Sequence, residues 1–91
     1  MKTKWSPLTL SQLDEITKYY TKRNQSHTYS KKLKRTVHKT IGIIRRNPFF
    51  GELIPNNCRR LTIGNFVLIY QIQDNVIQIF SFRDGRQSIE D

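Results

Sequence analysis

Residues 58–85 read CRRLTIGNFVLIYQIQDNVIQIFSFRDG, and this stretch decides the fold. It holds three runs of two-residue periodicity: Cys58–Ile63, Phe66–Gln73 and Val76–Arg83. Gly64-Asn65 and Asp74-Asn75 separate them, and Asp84-Gly85 closes the last. Each break uses residue types that tolerate positive φ, as two-residue hairpin turns require. The reading is a three-stranded antiparallel meander.

Hairpin geometry then sorts the side chains. A two-residue turn at Asp74-Asn75 sets Gln73 against Val76, Ile72 against Ile77 and Tyr70 against Ile79. One face carries Leu61, Leu68, Tyr70, Ile72, Ile77 and Ile79, all of which suit burial. The other carries Arg60, Thr62, Val67, Ile69, Gln71, Gln78, Phe80 and Phe82, a mixed set suited to receiving a partner. A one-residue slip in pairing exchanges the two sets, so everything downstream depends on register.

Upstream of the meander the period changes to that of helices. Ser6-Pro7 is a helix start, with Ser6 as cap and Pro7 at the first helical position. Leu10, Leu13, Ile16 and Tyr20 then form one apolar stripe, interrupted at Asn24-Gln25-Ser26. A second helix is expected over residues 27–46, stopped by Asn47-Pro48. Its stripe is Tyr29, Leu33, Val37, Ile41 and Ile44. Residues 49–57 read as irregular, and Lys2–Trp5 as a short strand able to join the sheet. The expected fold is a single α+β domain over residues 1–91. Two N-terminal helices pack on one face of a small antiparallel sheet, in the order β-α-α-β-β-β.

Charge is the unusual quantity. The chain carries +9, from sixteen basic and seven acidic residues. Residues 1–46 contribute twelve Lys/Arg against Asp14 and Glu15, whereas residues 47–91 are nearly balanced. Such an excess points to a polyanionic partner: nucleic acid, an acidic protein or an anionic membrane. On the second helix Lys31, Lys32, Lys34, Arg35 and Lys39 lie off the apolar stripe and are the candidate target-binding residues. A membrane role is disfavoured, because a core this small needs the apolar stripes of both helices.

Several chemistries are excluded by what is missing. One cysteine, Cys58, permits no internal disulfide, and no apolar leader follows Met1, so the expected location is cytoplasmic. His27, His38 and Cys58 lack ligand spacing, so no metal is expected. No glycine-rich phosphate loop and no G-x-S-x-G is present, so no cofactor and no serine triad are expected. The arginines flanking the sheet remain. Arg60 projects on the mixed face, and Arg86 follows the last strand in a glycine-containing loop that lets it reach back over that face. Guanidinium groups around a partly apolar floor suit a phosphodiester or the carboxylates of a protein partner.

The ordered set of segments resembles the RelE/ParE toxin superfamily over nearly the whole chain. The segments are Trp5-Ser6-Pro7, Leu13-Asp14-Glu15-Ile16, Tyr19-Tyr20, Ile43-Ile44-Arg45-Arg46-Asn47-Pro48 with Gly51, and Arg59-Arg60-Leu61. Gly64 to Ile72, Ile77 to Phe82 and Arg83-Asp84-Gly85-Arg86-Gln87 follow. The resemblance implies the toxin of a type II toxin–antitoxin pair, a small α+β protein silenced by an antitoxin whose extended tail wraps it. It implies one of two targets: mRNA in the ribosomal A site, cut by RelE-like members, or DNA gyrase, poisoned by ParE-like members.

The ribonuclease members share a basic set that this chain meets only in part. Residues 47–57 contain no lysine, Val67 stands where the central strand carries an arginine, and Ser88-Ile89-Glu90-Asp91 lacks Tyr and His. Arg86 alone matches plainly. RNA cleavage by 2′-OH attack needs a base, an acid and charge on the phosphorane. Arg60 and Arg86 can supply the charge, and are the candidate catalytic residues of a ribosome-dependent endoribonuclease, but no base stands beside them. The expectation therefore leans to gyrase, with the endoribonuclease and a plain basic nucleic-acid-binding domain as alternatives. The expected antitoxin-binding residues are Arg60, Val67, Ile69, Phe80, Phe82 and Arg86.

Overall fold

A computed structural model describes residues 1–86; Gln87 and the C-terminal residues 88–91 named above lie outside the described part. The chain runs β1 (Lys2–Trp5), α1 (Pro7–Asn24), α2 (Thr28–Arg46), β2 (Glu52–Ile54), a 3₁₀ turn (Pro55–Asn57), β3 (Cys58–Ile63), β4 (Phe66–Gln73) and β5 (Val76–Asp84). The five strands form one sheet in the order β1-β5-β4-β3-β2. The expected α+β architecture holds, and it gains a short edge strand, β2, inside the stretch read as irregular. β1 does join the sheet, and it runs parallel to β5, with Lys2 opposite Val76 and Trp5 opposite Ile79. Neither helix is long and apolar enough to cross a membrane, among the described residues.

Turn chemistry sets the meander. Asp74 and Asn75 both take positive φ (53° and 63°), which fits a type I′ hairpin. Gly64 takes φ 60° in the preceding turn, at no steric cost to a residue without Cβ. The expected pairs Gln73–Val76, Ile72–Ile77 and Tyr70–Ile79 are all present.

Past that point the register shifts. A bulge in β5 follows Ile79: Ser81 faces Ile69 and Phe82 faces Leu68, leaving Phe80 as the extra residue. A bulge inserts one residue and so flips every later side chain relative to strict alternation. Phe82 therefore lies in the core, fully buried, and its ring stacks on Phe66 at 5.3 Å. The placement of Phe82 on the open face is corrected by this observation.

The helices cover the face formed by Ile63, Phe66, Leu68, Tyr70, Ile77, Ile79 and Phe82. α2 contributes Leu33, Val37, Ile41 and Ile44, all buried as the spacing requires. A fully buried aliphatic side chain contributes roughly 1.5–3 kcal/mol, so these four are a major share of so small a core. α1 is rotated from its expected setting. Leu10 is 54% exposed, whereas Thr9 and Thr17 are buried and Leu13, Ile16 and Tyr20 are half-buried. Hydrogen bonds impose that rotation. Ser6 Oγ caps α1 by accepting from Thr9 N (3.0 Å), and Thr9 Oγ1 donates to Ile79 O (3.1 Å). Gln12 Oε1 accepts from Phe82 N at 2.9 Å. At the crossing of the helices, Ser30 Oγ donates to Thr17 O at 2.8 Å and sits 2.7 Å from Thr21 Oγ1.

Candidate functional site

The open face of the sheet starts from the pairing of β3 with β4 and β2. Arg60 lies opposite Ile69 on one side and Glu52 on the other. The Glu52 carboxylate accepts from Arg60 Nη2 at 2.6 Å and from Nε at 3.1 Å. Both side chains are largely exposed, so this pair contributes only about 0–1 kcal/mol to stability. Val67 and Ile69 are half-buried, and Phe80, the bulge residue, is 38% exposed. Arg60, Val67, Ile69 and Phe80 thus remain accessible to a partner. Phe82 does not.

Arg86 stands elsewhere. It follows Asp84, which pairs with Phe66 on the helix-covered side. Its guanidinium donates to Asp84 at 2.8 and 3.0 Å and to Tyr20 Oη of α1 at 3.4 Å. Asp84 is held below the usual carboxylate range by hydrogen bonds from the Arg86 side chain and backbone N–H. Arg86 in turn is held more firmly protonated than a free arginine, by its bonds to Asp84. The reach of Arg86 over the mixed face is therefore corrected: Arg60 and Arg86 occupy opposite sides of the sheet and share no floor. The local cause is alternation, because Gly85 takes the open-face position. A Cβ there would come within 2.9 Å of Val67 Cγ2, and Gly85 N donates to Asn65 O at 2.7 Å.

Around Arg86 there is a cleft of about 550 Å³ between α1 and the ends of β4 and β5. Tyr20, Ile16, Phe66 and Phe82 border it, with Arg23, Arg83 and Arg86 on its walls. A second groove, of about 410 Å³, runs between α1 and α2 and is bordered by Lys18, Lys22, Lys31 and Lys34. Of the candidate target-binding residues, Lys31 and Lys34 line this groove, and Lys32, Arg35 and Lys39 are exposed outside it. A reading of each helix by itself misses Lys18 and Lys22, because their relation to α2 exists only after the hairpin packs. No His/Cys/Asp/Glu group suited to a metal ion is formed among the described residues.

Arg59, the remaining strand arginine, has an architectural position. It donates to Gly51 O at 2.8 Å and Phe49 O at 3.2 Å, with its guanidinium 4.9 Å from the Phe49 ring centroid. Tyr70 joins it. The Tyr70 hydroxyl donates to Pro48 O at 2.8 Å and accepts from Gly51 N at 2.9 Å. Together these side chains hold the 48–51 segment against the sheet and so position β2, the strand that carries Glu52 to Arg60. The Glu52–Leu53–Ile54 run ahead of Pro55 is the only sequence trace of this arrangement.

Residues 3–89 match the family model of the ParE toxin of the type II toxin–antitoxin system parDE. Among solved structures, the fold is similar to one described as the chromosomal ParDE TA system from P. aeruginosa. The match has a TM-score of 0.78 at 18% identity and covers 92% of this chain and 95% of that one. At that identity the likeness shows the fold. No curated protein sequence matches. The family model spans nearly the whole chain, including both helices and all five strands, and the chain belongs to the ParE toxin family of type II toxin–antitoxin systems.

Proposed function

We propose that this toxin is silenced by a co-expressed antitoxin and that, once free, it stops growth by acting on DNA gyrase rather than by cutting mRNA. The observation that carries the choice is the separation of Arg60 from Arg86 by the sheet. A phosphorane is stabilised by donors converging on one set of oxygens. Two guanidiniums on opposite faces, each engaged by its own carboxylate, do not converge. Val67 on the central strand adds an apolar side chain where the ribonuclease pattern has a cation.

The antitoxin contact fits an acidic, partly apolar segment. It would pair with Arg60 and pack on Val67, Ile69 and Phe80 across the open face. Arg86, round the end of β5, would meet a separate part of the same wrapping chain. The basic face of α2, with Lys31, Lys32, Lys34, Arg35 and Lys39, is left to the target.

Induced expression of the chain with and without its neighbouring gene tests the pair: arrest without the neighbour and growth with it is the expected result. Primer extension on translated mRNA during arrest tests the target. No new 5′ ends within reading frames are expected, and frame-dependent cuts would replace this reading with the endoribonuclease one.

A further inference from the structure

We propose that the groove between α1 and α2 binds the phosphate backbone of duplex DNA directly. This goes beyond the gyrase reading: it takes Lys31 and Lys34 from the face left to the target there and gives them to DNA, and it is tested without gyrase present. Lys18 and Lys22 from α1 and Lys31 and Lys34 from α2 border one concavity. Asp14 is the single acid in the lining among the described residues, and its carboxylate is 2.9 Å from Lys18 Nζ; among those residues the other three lysines have no ion pair. The cationic side chains belong to two helices held in fixed relation by the Thr17–Ser30–Thr21 hydrogen bonds, so the charges are presented as a set.

The lining also says which polyanion fits. Its remaining residues are Thr17, Thr21, His27 and Ser30. His27 is the one ring among them and no Phe, Tyr or Trp joins it, so the row of aromatic side chains on which successive unpaired bases stack, the usual basis of single-strand affinity, is not formed by this lining. No arginine fork is among them either, and no Leu, Ile, Val or Met side chain, the features that favour an acidic amphipathic peptide. Lysines act as point charges and suit an evenly spaced row of phosphates read without regard to sequence.

The purified full chain is titrated against a short fluorescein-labelled DNA duplex of mixed sequence, and against one of its strands, by anisotropy over a range of salt. Neutralising three phosphates gives log K falling with log salt at a slope of about −2.7, or roughly forty-fold weaker binding from ~50 to ~200 mM salt. Lys22→Gln/Lys31→Gln/Lys34→Gln is expected to remove that much slope, while Lys2→Gln/Lys4→Gln on β1 keeps it. Asp14→Asn frees Lys18 and is expected to tighten duplex binding and steepen the slope by about 0.9, a gain that misfolding does not produce. Circular dichroism confirms that each variant is folded. An unchanged slope in the groove variant, loss of the slope in Lys32→Gln/Arg35→Gln/Lys39→Gln instead, tighter binding to the single strand, or no binding at low salt each overturns the proposal.

Discussion

The Tyr70 hydroxyl and the Gly51 amide are 2.9 Å apart, and this hydrogen bond ties the central strand to the loop entering β2. The same hydroxyl donates to Pro48 O. Tyr70 is fully buried, so its removal leaves Gly51 N–H without that acceptor and away from water. Tyr70→Phe is expected to cost about 1–3 kcal/mol. In a domain of this size each kcal/mol lowers Tm by about 4–8 °C, which a thermal melt resolves. An unchanged Tm would show that the loop is held by Arg59 alone.

Gly51 itself is the tight side of that contact. A Cβ at this position would lie 2.9 Å from both Cε1 and Oη of Tyr70 and 3.1 Å from Arg60 O. Gly51→Ala is therefore expected to destabilise by about 1–3 kcal/mol, as overpacking does. Gly42, inside α2 one turn before its end, is the opposite case, because a Cβ added there would meet nothing within 4 Å. Gly42→Ala is expected to stabilise by about 1 kcal/mol through helix propensity, read as a rise in Tm.

Phe80 and Phe82 are two residues apart and predict opposite outcomes. Phe82→Ala empties a core position stacked on Phe66 and is expected to cost about 3–5 kcal/mol, enough to unfold much of a small domain. Phe80→Ala is expected to leave Tm nearly unchanged and to weaken antitoxin binding, measured by calorimetry on the purified pair. Equal destabilisation by both would contradict the bulge.

That pair also marks where sequence reasoning stops. The strand limits of β3 and β4, the hairpin turns and the α2 stripe from Leu33 to Ile44 follow from alternation, positive-φ residue types and four-residue spacing, and the structure contains them; Tyr29, at the start of that stripe, is instead exposed, its ring against Tyr20. A bulge leaves a fainter trace. Gln78 and Ser81 stand three residues apart and Ile79 adjoins Phe80, a change of phase that strict period-two reading passes over, and the pairing with Ile69 and Tyr70 identifies Phe80 as the extra residue. α1 departs from its stripe for a different reason: hydrophobicity favours Leu10, but the bond that Thr9 donates to β5 and the one that Gln12 accepts from it set the helix angle. Of the candidate site, Arg60, Val67 and Ile69 are legible from the period of two. The groove lysines of α1 are not, because they meet α2 only through tertiary packing.

Asp84 predicts an acid-range signature. Arg86 depresses its pKa in the folded state, so the unfolded chain takes up the proton first as pH falls. The stabilisation from this pair is complete above the unfolded carboxylate range, near about pH 4, and is lost as pH drops through the lower folded value. Asp84→Asn is expected to flatten the fall in Tm between about pH 5 and about pH 2 relative to the parent chain. A parallel fall in both proteins would show that other carboxylates set the acid limb.

DNA supercoiling by gyrase in the presence of the purified toxin is the most direct test of the target. Dose-dependent inhibition, relieved when the antitoxin is added, is the predicted result. Full supercoiling at toxin concentrations that arrest cells, together with new mRNA 5′ ends, would contradict it.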